Sequence, residues 1–183
     1  MSRAVWRLLQ AILVAVLLAA GGEALRAADG EAFAVGAFRF APPVGWQVAP
    51  ASGMRKAELR IPDPLGGEAG VCSFFHFGPG QGGSPAANIE RWQDQFQEPP
   101  QKLAAKIGVE DIAGTRVHWF RASGTFLSGM PGQATEPKPG TTLLAAVLES
   151  TQGHVFVRCI APNRLADASE PAFRALIQSP LQR

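Results

Sequence analysis

The chain has 183 residues, 46% hydrophobic and 17% charged, with 20 Gly, 15 Pro, 2 Cys and no Tyr. This length fits one domain, and the apolar fraction excludes a disordered chain. Two cysteines are too few for a disulfide-dense miniprotein or a cysteine zinc module, and 17 basic against 15 acidic residues leave no excess of the kind nucleic acid requires.

Arg3 and Arg7 precede an apolar run, Leu8–Ala20, which Gly21-Gly22 breaks and small residues follow as far as Ala27-Ala28. That order is the one found in a secretory signal peptide. Built as a helix, the run spans roughly 20 Å, short of the ~30 Å hydrocarbon core. The expectation is a signal peptide over residues 1–27, cleaved near Ala24 or Ala27, and a single domain over residues 28–183 that is periplasmic or secreted. No cysteine stands near the end of the run, which excludes a lipoprotein anchor, and no Arg-Arg pair precedes it to mark a twin-arginine signal. No later stretch is long enough to span a membrane. The leader holds Arg3, Arg7, Arg26 and Glu23, so the remainder carries 14 basic and 14 acidic side chains. A formally neutral domain with Arg55-Lys56 as its only adjacent basic pair lacks the basic stripe of a nucleic-acid or anionic-membrane binder.

Along the remaining chain, Ala37–Ala41 alternates and stops at Pro42-Pro43, and Gly45-Trp46 turns the backbone. Met54–Ile61 alternates again, with Ala57, Leu59 and Ile61 opposed to Lys56, Glu58 and Arg60, as in a strand with one wet face. Val71–Phe77 is apolar on both faces and reads as a central strand covered on both sides. Ser84-Pro85 is an N-cap followed by proline in the first helical turn, and Ile89, Trp92 and Phe96 give the helix one apolar stripe before Glu98-Pro99-Pro100. Leu103–Val109 reads as a weak strand and Asp111–Gly114 as a turn. Arg116–Phe126 reads as a longer strand bent at Gly124. Residues 128–140, rich in Pro and Gly, read as a long loop. Thr141–Glu149 and His154–Ala161 form a hairpin, and residues 169–179 a final helix burying Phe173, Leu176 and Ile177. About seven strands and two helices without βαβ alternation predict an α+β fold, a largely antiparallel sheet of six or seven strands with a helix on each face.

The opening Phe38-x-Phe40-x-x-Pro43-x-Gly45-Trp46 resembles the first strand and Pro-x-Gly-Trp turn of the PsbP-like α/β/α sandwich, a fold shared by a photosystem II extrinsic subunit and a Ran-binding nuclear transport factor. The helix, the strand run and the terminal helix follow in the order that fold uses. The segments Met54-Arg55, Phe75–Ser84, Ala87–Trp92 and Ser123–Phe126 are similar to a set of uncharacterised secreted bacterial proteins. The resemblance would cover most of residues 33–183. It implies the sandwich and, by analogy, a binding or assisting role.

Candidate sites are few. The glycine-rich loop 78–84 leads into a helix N-terminus, and Gly80, Gly82, Gly83 and Ser84 offer amides to an anion, although the lysine of a nucleotide-binding loop is missing. His76, His118 and His154 are not spaced as a local chelate, so no metal is expected, and no cofactor motif occurs. The loop 128–140 with Met130 is the expected contact for a partner. Trp46, Trp92, Trp119, Phe74, Phe75, Phe96 and Phe120 read as core. Cys72 and Cys159 fall in two strands, where a thiol would be buried and inert; in an oxidising compartment they could instead form a disulfide, which requires those strands to be neighbours. No nucleophile elbow occurs, and catalytic residues are not indicated. The reading is an exported, monomeric, non-catalytic binding or accessory domain of the bacterial envelope, contacting an envelope protein or a small-molecule ligand. The alternative is a metal- or anion-assisted hydrolase built on the 78–84 loop and the histidines.

Overall fold

The computed structural model describes residues 30–129 and 136–182; the expected signal peptide, its expected cleavage positions and Met130 lie outside the described residues. No helix among them is long and apolar enough to cross a membrane. The chain folds as a hairpin β1 (Phe33–Val35) and β2 (Phe38–Phe40), strands β3 (Gln47–Ala49), β4 (Arg55–Ile61) and β5 (Gly70–His76), helix α1 (Pro85–Gln93), strands β6 (Lys106–Ile112), β7 (Thr115–Ser128), β8 (Glu136–Leu148) and β9 (Val155–Pro162), and helix α2 (Asn163–Gln178) with a short 3₁₀ turn (Ser179–Leu181). Seven strands make one antiparallel sheet in the order β3-β4-β5-β9-β8-β7-β6.

The alternating side chains of each strand divide the core in two. On one face Leu59, Cys72, Phe74, Trp119, Leu144, Val157 and Cys159 pack against Leu165, Phe173, Leu176 and Ile177 of α2. The β1–β2 hairpin extends this cover: Phe33 and Phe40 each meet the Phe74 ring edge-on at 5.0 Å, and the Ala41 amide donates to Ser179 Oγ at 3.0 Å. On the other face Phe120, Leu143, Ala145, Val147 and Phe156 pack against Ile89 and Trp92 of α1 and against Phe96 and Leu103 beyond it. The expectation of a helix shielding each face is not supported. The second face is covered by a nine-residue helix and the irregular chain that follows it, and it is left open near β5 and β6, where Val71 and Val109 are exposed.

The doubly covered centre is β8 with β9, not β5. Leu143–Leu148 is buried at every position, and its side chains alternate between the two cores. Each of its leucine and valine side chains contributes roughly 1.5–3 kcal/mol on burial, which is why a continuous apolar run occupies this place.

Several boundaries differ from the sequence reading. β1 and β3, three residues each, are too short to show a period. β6 begins at Lys106, after Leu103 has turned inward to plug the second core and Ala104 has taken a left-handed φ of 33°. Both ends of the expected 128–140 loop are strand, because β7 runs to Ser128 and β8 starts at Glu136. Pro137 and Pro139 fit there because β9 pairs with β8 only from Thr141 onward, so a missing N–H leaves no ladder gap on that side. The register shift between Gly124 and Phe126 is the bend foreseen at Gly124. Helix α2 begins six residues before position 169 and carries Pro171 inside it. Leu165, Ala166, Ser169, Phe173, Leu176 and Ile177 continue one buried stripe through the proline, and that burial offsets the ~3 kcal/mol an internal proline costs.

Candidate binding cleft

β6 and β7 pair so that Gly108 stands opposite Trp119. Glycine has no side chain to fill the space beside the indole, and a Cβ built there meets nothing within 4 Å. Helix α2 closes the same space from above with Glu170, Phe173 and Arg174, and Leu144 lies beneath. The result is a cleft of about 210 Å³ between the sheet edge and the last turns of the helix.

Its polar groups are held by the tertiary structure. The Arg174 guanidinium lies 4.3 Å from the centre of the Trp119 ring and donates to Glu110 Oε1 at 2.5 Å. Arg121 donates from Nη1 to Glu170 Oε2 at 2.8 Å and from Nη2 to Asp167 Oδ1 at 2.6 Å. These pairs leave little net charge in the cleft. One donor is left over: Trp119 is 7% exposed, and its indole N–H has no hydrogen-bond partner. Such an orphan costs roughly 1–3 kcal/mol. Two other depressions, one beside His76 and Phe77, one beside Val44 and Leu165, contain no buried polar atom in that condition.

The residues singled out from sequence are not brought together here. Gly80, Gly82 and Gly83 all take left-handed φ, and the loop is tied to the start of α1. Ser84 Oγ accepts from the Ala87 amide at 3.2 Å, Asn88 Nδ2 donates to the Gly82 and Ser84 carbonyls at 2.9 Å, and Arg91 donates to Asn88 Oδ1 at 3.2 Å. A Cβ on Gly82 would lie 2.7 Å from the rings of Phe77 and Phe156. These contacts give the loop a packing role.

The histidines have separate partners. His76 Nε2 lies 3.1 Å from the Gln152 carbonyl, His118 Nε2 lies 2.6 Å from Glu149 Oε1, and His154 Nδ1 accepts from the Ser150 amide at 3.3 Å. Among the described residues no group of three or more His, Cys, Asp or Glu is arranged to hold a metal. Cys72 and Cys159 stand directly opposite each other on β5 and β9, both buried and present as thiols. Burial pushes the Cys72 thiol well up, and the neighbouring Cys159 adds to the shift. Of the aromatic residues read as core, Phe74, Trp46, Trp92, Trp119, Phe96 and Phe120 are buried and Phe75 is half-buried.

Sequence reading placed Trp119 in the core and did not single out Gly108, Arg121 or Arg174. Alternation along β7 already puts Trp119 and Arg121 on one face. The Gly108–Trp119 opposition needs the strand register, and Arg174 reaches the indole only through the docking of α2.

No protein-family model and no curated protein matches the chain. Among solved structures, the solution structure of cyanobacterial PsbP (CyanoP) from Synechocystis sp. PCC 6803 matches with a TM-score of 0.50 and 14% identity, covering 85% of this chain and 94% of that one. The crystal structure of PA94, a protein of unknown function from Pseudomonas aeruginosa, aligns at 15% identity with a TM-score of 0.38, over 84% of this chain and 96% of that one. At this identity the likeness to CyanoP speaks to architecture alone, and with the sheet and helix order above it shows that the chain has a PsbP-like fold.

Proposed function

We propose that this chain is a non-catalytic binding domain, exported to the bacterial cell envelope, that holds a small ligand in the cleft beside Trp119. The observation that carries the reading is the buried, unpartnered indole N–H at a concave, partly apolar site. The volume of about 210 Å³ is below the ~300–1,000 Å³ of drug-sized ligand sites, so the ligand is small. The unmet donor calls for an acceptor oxygen. Phe173 and Leu144 call for an apolar body. The paired charges of Arg121 and Arg174 favour an uncharged or weakly charged molecule over a strong anion. The leader-like residues 1–27 motivate the envelope location.

Benzamide, with a carbonyl acceptor on a small ring, is a suitable probe. The Trp119 indole N–H resonance, assigned through Trp119→Phe, is expected to shift saturably as benzamide is added. Gly108→Leu places a side chain in the open space of the cleft and is expected to abolish the shift while the protein stays folded. An indole resonance that does not move at millimolar benzamide, or that moves equally in Gly108→Leu, would refute the assignment of the cleft. The location is tested by fractionation and by N-terminal sequencing of the mature protein; a chain recovered intact from the cytoplasm would refute export.

A further inference from the structure

The two edges of the sheet are unlike. β3 is three residues long, a short edge of the kind that resists pairing. β6 at the other edge has seven residues, an unbroken register with β7 and no proline, and among the described residues nothing pairs with its outer side. Its side chains form two rows. Lys106, Gly108 and Glu110 share the face covered by α2, whereas Ile107 and Val109 lie on the second face, each 54% exposed. An exposed, regular edge with apolar side chains is a template for another strand.

We propose that the occupant of this edge is a second copy of the same chain, with β6 pairing antiparallel to β6 of the partner about a two-fold axis through Gly108. An axis normal to the sheet keeps each face continuous across the pair, so only residues of the same row can stand opposite each other. With Gly108 at the axis, Lys106 faces Glu110 of the partner twice, and Ile107 faces Val109 of the partner twice. Opposite charges and apolar pairs at directly opposed positions are the favourable cross-strand combinations. Centred on Val109 instead, the pairing sets Ile107 against Asp111 and Lys106 against Ile112. Glu110 gives Oε1 to Arg174 and is 43% exposed, which leaves Oε2 for the partner's lysine. The second-face side chains Ile107 and Val109 then form one apolar patch shared by both copies. This pairing does not depend on the ligand assigned to the cleft.

The test is the mass of the protein against concentration, by light scattering and sedimentation. Wild type is expected to pass from monomer to dimer. Lys106→Glu sets Glu against Glu at both contacts, and Glu110→Lys sets Lys against Lys, so each variant alone is expected to dissociate about tenfold or more readily. Mixed together, the two variants restore both opposite-charge pairs, and a heterodimer is expected. Ile107→Lys, at an exposed position, is expected to be folded and monomeric. Wild type that stays monomeric at every concentration would overturn self-pairing and leave the edge to a foreign strand. Dimers that persist in Ile107→Lys, or folded charge variants that do not recombine, would also overturn it.

Discussion

Oxidation of the thiol pair gives the sharpest prediction. Cys72 and Cys159 are opposed residues of adjacent antiparallel strands. Opposed residues have Cα atoms roughly 4.5–5.5 Å apart, inside the ~4.4–6.8 Å range a disulfide requires. The bridge would close a loop of roughly 88 residues, for which the chain-entropy relation gives about 4.6 kcal/mol of stabilisation at 25 °C. For a domain of this size that corresponds to a rise in Tm of roughly 9–18 °C. The order of events matters. Both thiols are shut away in the finished sheet, and the raised Cys72 pKa leaves little thiolate, the form that attacks a disulfide. Folded, reduced protein is therefore expected to resist oxidised glutathione, whereas protein refolded in a glutathione redox buffer is expected to close the bridge. Mass spectrometry after denaturing alkylation counts the thiols, and urea unfolding of the bridged and reduced forms measures the difference. Two alkylated cysteines in the oxidatively refolded protein would refute the geometric argument. A bridged form no more stable than the reduced form would refute the magnitude.

Two further substitutions test the packing. Arg158 is half-buried on the second face and donates to Gln95, while its buried Nε has no partner. Burial, with added repulsion from Arg55 and Arg91, pulls its pKa down to about 10. A cation whose folded pKa is depressed destabilises the fold at every pH below that value, and the cost fades only as pH rises from about 10 toward the ordinary, higher arginine value of the unfolded chain. Arg158→Met is therefore expected to stabilise the protein at pH 7 by about 1–3 kcal/mol in urea unfolding; destabilisation would show that the Gln95 bond outweighs desolvation. Gly153 has φ +106° and would place a Cβ 2.5 Å from the Gly78 carbonyl group, whereas Gly66, at φ +76°, has open space. Gly153→Ala is expected to cost about 3 kcal/mol or more and Gly66→Ala about 1 kcal/mol, and equal costs would refute the clash.

Local chemistry made much of this architecture legible in advance. Ser84-Pro85 marked the start of α1 because an N-cap and a first-turn proline act within four residues. The alternation of Ala57, Leu59 and Ile61 against Lys56, Glu58 and Arg60 marked β4, because a strand's two faces follow from its own period. The short turn at 151–153 marked the β8–β9 hairpin. What is local in origin is local in sequence.

The tertiary structure decided what depends on distant partners. It made strand of Ser128 and residues 136–140 in the Pro- and Gly-rich 128–140 stretch, because pairing between Phe126 and Lys138 and on to Ser128 and Glu136 holds the backbone extended where its composition suggests a loop. It extended α2 back from position 169 to Asn163, because burial of Leu165 and Ala166 against the sheet holds that turn helical. It set Cys72 against Cys159 through a strand order in which β5 neighbours β9. It made the cleft by the same means: Gly108, Trp119 and Arg174 are unremarkable apart and become a site only where a register and a helix crossing bring them to one point. Spacing along a chain encodes period and turn, but it carries no distances between elements, and both the cleft and the thiol pair consist of such distances.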